Sequence, residues 1–345
     1  WGWQMSPTRV FASTLHGYEG SGQGFALRMQ RTLERRTPGW HHCQLHSPLR
    51  WRPDDDLEQL TNQLLLLDAE PAALPASGEY RLRWITQRDL ATDETVLRQI
   101  TVTGASRTGE LSLAVTETPA GLDVAVTGGK PMDAALFQAL ATLADQGDLA
   151  RLTWDGQSIT RRPPALPMGR AQVVPPPGGF LQATPEGEAA LVAAIRDMTR
   201  GAGRVLDLFA GCGTFSLPLA ETAEVHAVEG LTAPLQALDA AARRTPGLRR
   251  ITTETRDLSR RPLLPDELAY DAIVIDPPRA GAEAQAAQIA LSGVEKLAWV
   301  SCDPVTFARD ARVLADAGYD IARLFVIDQF RWSPHVETVA EIRRR

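Results

Sequence analysis

The stretch Val205-Leu206-Asp207-Leu208-Phe209-Ala210-Gly211-Cys212-Gly213-Thr214-Phe215 decides how the chain reads. An apolar strand breaks into a glycine turn and then a helix. Glycines at 211 and 213 let the backbone take positive φ and approach a ligand closely. In open α/β sheets, ligands sit beyond the carboxyl ends of the strands. The third glycine of a dinucleotide fingerprint is replaced by Ser216, which argues against NAD or FAD. Glu229 ends the next strand, close to the roughly 20-residue spacing at which an acid meets ribose hydroxyls. Asp257 follows the third strand, where an adenine amino group could donate to it. A lone Gly-x-Gly is a tight turn. With Asp207, Glu229 and Asp257 at successive strand ends, it reads as a pocket for an adenosyl group.

Outward from this turn, strand and helix alternate. Arg204–Leu208 is followed by strands near Glu224–Val228, Arg250–Glu254, Asp271–Ile275, Leu297–Val300, Ile321–Ile327 and Val336–Ile342. Thr184-Pro185 reads as an N-cap and first helical residue, ahead of an apolar stripe of Leu191, Ala194, Ile195 and Met198. Pro304–Ala317 reads as a helix stopped by Gly318. This alternation predicts an α/β, doubly wound, mainly parallel sheet of seven strands. Prolines crowd the stretch from Arg161 to Gly179 and bar it from helix or central strand. The stretch therefore reads as a join between an α+β domain over 1–165 and the sheet domain over 166–345. Within the first domain, hairpins are expected at Leu111–Val115 with Leu122–Val126, and at Arg151–Trp154 with Ser158–Thr160. Helices are expected at Asp55–Ala69 and Met132–Gln146.

The 345 residues are 44% apolar and 23% charged, as in ordinary globular proteins. No run of about 18 apolar residues occurs, so no membrane span is expected, and the first residues do not read as a secretion signal. Trp1 in place of Met leaves room for residues upstream. Cysteines at 43, 212 and 302 are too few and scattered for a disulfide framework, which fits a cytoplasmic location. The net charge of −6 counts against a nucleic-acid binder. Yet Lys130 and Lys296 are the only lysines, and arginine forks suit phosphates and base edges.

Cys302 lies between the strand Leu297–Val300 and Asp303-Pro304, which reads as a helix cap and first turn. A helix N-terminus favours the thiolate, whereas a lone buried cysteine is otherwise inert. Glu337 begins the last strand and is a candidate base, at a place where a carboxylate is otherwise just solvated. A thiolate and a base beside an adenosyl pocket suit methylation of carbon 5 of uridine. That carbon does not attack a sulfonium methyl unaided. Thiolate addition at carbon 6 makes it an enolate carbon, and a base must then remove the carbon 5 proton so that the thiol can leave. Asp276-Pro277-Pro278-Arg279 ends the fourth strand at the same crevice. Amino-directed methyltransferases follow a similar turn with an aromatic, so Arg279 argues against an exocyclic amine as target. Cys212, inside the glycine turn, reads as pocket wall.

Together, Asp207–Phe215, Asp276–Gly281, Trp299–Asp310 and Asp328–Thr338 resemble the signature blocks of the bacterial RNA uridine-5-methyltransferase family, with its tRNA and 23S rRNA enzymes. The resemblance runs from Gly179 to Arg345. It implies a class I (Rossmann-like) methyltransferase sheet, S-adenosylmethionine as cofactor, Cys302 as nucleophile and Glu337 as base. It also implies cofactor contacts from Gln182, Phe209, Thr214, Glu229, Asp257 and Asp276, beside Gly211 and Gly213. Two departures, Arg331-Trp332 after Phe330 and Thr214 where asparagine is common, touch detail rather than reaction type.

The first half is similar to the family's RNA-contacting domain, opening with a strand inside Trp1–Ser13 and without the small β-barrel that precedes it in many members. His41-His42-Cys43-Gln44-Leu45 resembles the segment holding a fourth iron–sulfur ligand in some members. The three upstream cysteines of those members have no counterpart here. A zinc site on His41, Cys43 and His46 lacks a distant partner, so no metal is assigned. The Cys43 segment favours 23S rRNA over tRNA, and a monomer is expected. Three rivals remain: a cytosine-5 RNA methyltransferase, which would want a second cysteine where Pro277-Pro278 stands, an RNA-binding module with lapsed catalysis, and a small-molecule methyltransferase; within the family, tRNA uridine-5 methylation is the alternative.

Overall fold

A computed structural model describes residues 2–5, 43–46, 79–82, 99–106, 109–327 and 337–345, with side chains over 111–327 and 337–345. The helix expected at Asp55–Ala69 lies outside the described residues, as do His41, His42, Arg331, Trp332 and His335. Two compact units emerge, one of Trp1–Trp51, Met168–Ala171 and Glu186–Arg345, the other of Arg52–Pro167 and Gln172–Pro185.

The second unit is a sheet of six strands, Glu79–Leu82, Gln99–Ser106, Gly109–Thr118, Gly121–Thr127, Arg151–Trp154 and Gln157–Thr160, in that spatial order. Neighbours are antiparallel except Gly121–Thr127 and Arg151–Trp154, which run parallel. A parallel pair needs a crossover, and the helix Ala134–Gln146 supplies it. Its Leu140 and Ala144 pack on Leu152, and Asp133 caps it by accepting the Leu136 N–H at 2.6 Å. Both hairpins and this helix fall where the sequence predicts them. Arg151 is buried and donates to both oxygens of Asp123, at 2.8 and 2.6 Å, and to the Pro175 carbonyl at 2.8 Å.

In the first unit the strands β1 (Arg204–Leu208), β2 (Glu224–Glu229), β3 (Ile251–Thr255), β4 (Ala272–Ile275), β5 (Lys296–Ser301), β6 (Tyr319–Ile327) and β7 (Glu337–Arg344) pair in the order β3-β2-β1-β4-β5-β7-β6. The first five are parallel, and β7 enters antiparallel between β5 and β6. Helices α1 (Pro185–Met198), α2 (Ser216–Leu219), α3 (Thr232–Arg244), α4 (Glu283–Leu291) and α5 (Pro304–Asp316) fill the connections.

Central parallel strands covered on both faces need apolar residues throughout, and β4 is buried at all four positions. On one face Val205, Val274, Ala298, Val300 and Val339 meet Leu191, Ile195 and Met198 of α1. On the other, Leu206, Leu208, Ile273, Ile275 and Trp299 meet Ala286 and Ile289 of α4 and Phe307, Ala311 and Leu314 of α5.

Two further strands extend this sheet beyond β6. Cys43–His46 pairs parallel to β6, and Gly2–Met5 pairs antiparallel to Cys43–His46, making nine strands. The division expected at 165/166 puts both in the N-terminal domain. The sheet takes them instead, because an edge strand's unpaired N–H and C=O groups offer a template for pairing.

Replacing Asp123 by Ala leaves the Arg151 guanidinium buried without its counter-charge. Chemical denaturation should show a loss of about 3–5 kcal/mol. Replacing both residues by apolar side chains of similar volume should cost far less, because no lone charge remains.

Candidate active site

Strand alternation brings five functional side chains to one face. Asp207 and Glu229 share the parity of Val205 and Val225, and Glu337 shares that of Val339. Asp276 and Cys302 continue β4 and β5 by one residue, two beyond Val274 and Val300. Ser301 pairs with Thr338, whose hydroxyl donates to the Ser301 carbonyl at 2.9 Å. The next step of that register sets Cys302 opposite Glu337.

Asp207 is fully buried. Its Oδ2 accepts the Ser216 hydroxyl at 2.5 Å, while Oδ1 has no partner among the described residues. Burial, aided by the Glu229 charge and opposed by Ser216, pushes its carboxyl up to about 7. Asp276 is half-buried at the mouth of the crevice. Confinement, together with the charges of Glu337, Asp207 and Glu229, raises its carboxyl well above the usual range. Glu229 is better provided for: one oxygen accepts the Gly211 N–H at 3.1 Å and the other the Leu231 N–H at 3.0 Å.

The two glycines of the turn do different work. At Gly213, φ is +97° and a Cβ would lie 2.8 Å from Leu238 of α3, so glycine allows close helix packing. At Gly211, φ is +54° and a Cβ would meet nothing within 4 Å, so its backbone borders open space. Phe209 also takes a left-handed φ of 62°, uncommon for a bulky residue; such strain concentrates at ligand sites. Thr214 is half-buried behind the turn. Cys212 is buried, and burial beside Glu229 and Glu188 pushes its thiol up to about 12, leaving it a wall residue.

The sequence favours a thiolate at Cys302, and here the structure corrects it. Burial, then the Glu337 and Asp276 carboxylates, push the thiol up to about 12 against the opposing pull of Arg279. The helix terminus gives little help, because Asp303 already caps α5 by accepting the Val305 and Thr306 N–H groups at 2.9 and 3.1 Å. Arg279, read from sequence only as the absence of an aromatic, is thus a cation that acts on the thiol. Nothing in its local sequence reveals this, since Cys302 lies on another strand.

Two further expected contacts, Asp257 and Gln182, have these surroundings. Asp257 is exposed, and its Oδ1 accepts the Ser259 and Arg260 N–H groups at 3.0 and 3.3 Å, so it braces its own turn. Gln182 is buried but belongs to the segment Gln172–Pro185 of the other unit. Among the described residues, no cluster of three His, Cys, Asp or Glu could hold a metal ion. No helix there is long and apolar enough to cross a membrane.

Because the Asp207 carboxyl is raised to about 7, the folded chain keeps a proton between pH 4 and 7 that the unfolded chain has released. Stability should therefore fall as pH rises through that window. Asp207→Asn, without the charge, should melt higher than the unsubstituted chain at pH 8, by on the order of 5 °C, and the gap should close near pH 4. With its thiol at about 12, Cys302 should hold about a thousandfold less thiolate at neutral pH than an ordinary cysteine. Iodoacetamide labelling followed by mass spectrometry should find it correspondingly slow.

Residues 248–345 match the family described as tRNA (Uracil-5-)-methyltransferase, and residues 3–68 match the helicase domain of RNA cytidine acetyltransferase NAT10/TcmA. An uncharacterized RNA methyltransferase of Rhizobium meliloti is 45% identical over 262 residues, covering 75% of this chain and 63% of that protein. One from Caulobacter vibrioides is 49% identical over 241 residues, covering 68% and 58%. A 23S rRNA (uracil(1939)-C(5))-methyltransferase of Chromohalobacter salexigens is 41% identical over 171 residues, covering 49% of this chain and 35% of that protein. The chain thus spans about 60% of the length of the first two relatives. Among solved structures, the Pyrococcus abyssi tRNA (uracil-54, C5)-methyltransferase in complex with S-adenosyl-L-homocysteine superposes with a TM-score of 0.57 at 17% identity, over 83% of this chain and 65% of that one. This likeness shows the fold, a class I (Rossmann-like) methyltransferase sheet. The C-terminal third of the chain thus matches the uracil-5-methyltransferase family, and three quarters of its length aligns with a protein named as an RNA methyltransferase.

Proposed function

We propose that this chain uses S-adenosylmethionine to form 5-methyluridine in 23S rRNA, with Cys302 as covalent nucleophile and Glu337 as base. One observation carries the proposal: a thiol at the end of β5 falls opposite a carboxylate on β7 by the strand register, beside a glycine turn bordered by acids. The residues present suit the cofactor. Gly211 leaves space at the turn, Glu229 fixes that turn by hydrogen bonds, and Asp207 Oδ1 is a dry acceptor without a donor. Phe209, Gly213, Thr214 and Asp276 line the same strand ends, and the family resemblance assigns further cofactor contacts to Gln182 and Asp257. When bound, S-adenosylmethionine supplies an electrophilic methyl and positive charge that offsets the carboxylates.

The target base must be flipped out or unpaired to reach Cys302. The thiolate adds to carbon 6, and the electrons of the carbon 5–carbon 6 bond move toward the carbon 4 oxygen. Carbon 5 would then take the methyl, whose bond to the sulfonium sulfur breaks so that S-adenosylhomocysteine is left. Glu337 accepts the carbon 5 proton, the double bond re-forms, and sulfur leaves as thiolate. Arg279 sets a positive charge against the sulfur while it carries negative charge.

We assign RNA contact to the α+β region within 1–165, the sheet domain of 166–345 to catalysis, and a monomer in the cytoplasm as the working form. The identity to a 23S rRNA enzyme favours rRNA. With S-adenosylmethionine and 5-fluorouridine RNA, a covalent protein–RNA adduct should appear on a denaturing gel, more with 23S rRNA than with tRNA transcripts. Cys302→Ala should abolish it. Glu337→Gln should accumulate adduct on ordinary uridine RNA, with turnover reduced roughly 10²–10⁴-fold. An adduct indifferent to Cys302, or none with either RNA, rejects the proposal; a preference for tRNA rejects only the rRNA assignment.

A further inference from the structure

Three side chains of α5 grip the turn that follows β4. The Thr306 hydroxyl donates to the Arg279 carbonyl at 3.1 Å. Arg309 Nη2 donates to the Ala280 carbonyl at 2.9 Å. Asp310 Oδ2 accepts the Ala282 N–H at 2.7 Å, and its Oδ1 accepts Arg309 Nε at 2.8 Å. Between these points Gly281 has φ +79°, and a Cβ there would lie 2.6 Å from both Arg309 and Asp310. The turn leaves no slack against the helix.

The other end of α5 starts at Asp303, whose carboxylate caps it directly after Cys302. One rigid helix therefore ties the backbone of Arg279 to the segment that presents the thiol. Capping of α4 accounts for only part of the arrangement: Asp310 takes the N–H of Ala282, the N-cap residue of that helix, but that cap does not require Thr306 and Arg309 to hold the Arg279 and Ala280 carbonyls. Asp310 is also fully buried, and a buried carboxylate is costly unless its geometry is well satisfied.

Building on Cys302 as nucleophile, we propose that Asp310, with Thr306 and Arg309, positions Arg279 against Cys302 for thiolate addition to the base. Asp310 touches neither base nor cofactor; it acts through the turn. Misplacement of a charge by about 1 Å costs on the order of 10²-fold in rate.

The test compares Asp310→Ala, Asp310→Asn and Thr306→Val with the unsubstituted chain. It measures the rate of adduct formation on 5-fluorouridine RNA at saturating S-adenosylmethionine, the affinity for S-adenosylhomocysteine by calorimetry, and the melting temperature. Asp310→Ala should slow adduct formation about 10²-fold with S-adenosylhomocysteine affinity unchanged. Asp310→Asn keeps an oxygen for the Ala282 N–H and should recover most of the rate. Thr306→Val, nearly isosteric, should slow the step about tenfold without lowering the melting temperature. If Asp310→Ala does not fold, the other two variants decide. Unchanged rates in Asp310→Asn and Thr306→Val alongside a normal Asp310→Ala overturn the proposal, as does a fall in rate matched by a fall in S-adenosylhomocysteine affinity. An unsubstituted chain that forms no adduct refutes Cys302 as nucleophile, and the positioning role with it.

Discussion

Four carboxylates, from Asp207, Glu229, Asp276 and Glu337, stand along one edge of a sheet whose interior excludes water. Their mutual repulsion governs the site. Glu229 disperses its charge into two backbone N–H groups. Asp207 has one oxygen satisfied by Ser216 and one left over, and an unpaired buried acceptor is expensive. Burial first, and the neighbouring carboxylates after it, hold the Asp207 and Asp276 protons well above the ordinary carboxylate range. Positive charge brought beside these groups would lower both.

The same crowding reaches the thiol. A cysteine before a helix would ordinarily ionise readily, yet the thiol is buried, two carboxylates act on it, and Asp303 has already used the helix N–H groups. The Arg279 charge opposes the resulting rise in the thiol's pKa but does not cancel it, so Cys302 stays largely a thiol.

Much of this was legible in the chain. The glycine turn after Val205–Leu208, the alternation that follows, and the positions of Cys302 and Glu337 at strand ends all carry local signatures, because a buried parallel strand must be apolar and a turn must be permissive. What could not be read depends on partners distant in sequence. Gly2–Met5 and Cys43–His46 are four-residue strands with no long apolar run, and the edge they join is formed by β6, some 280 residues onward. Asp257 has the right place after β3 but turns its carboxylate to its own loop. Arg279 and Asp310 look like surface charges until α5 is laid against the turn after β4.

The reversed strand β7 has a further consequence for how the molecule is made. Synthesis delivers β5, then β6, and only afterwards the strand that lies between them. Until β7 emerges from the ribosome, both neighbours carry open hydrogen-bonding edges, an invitation to mispairing. Over the same interval Cys302 has no carboxylate across from it. The carboxylate opposite Cys302 therefore arrives with the very strand that seals the sheet, so the thiol and its neighbour come together only when the fold is complete.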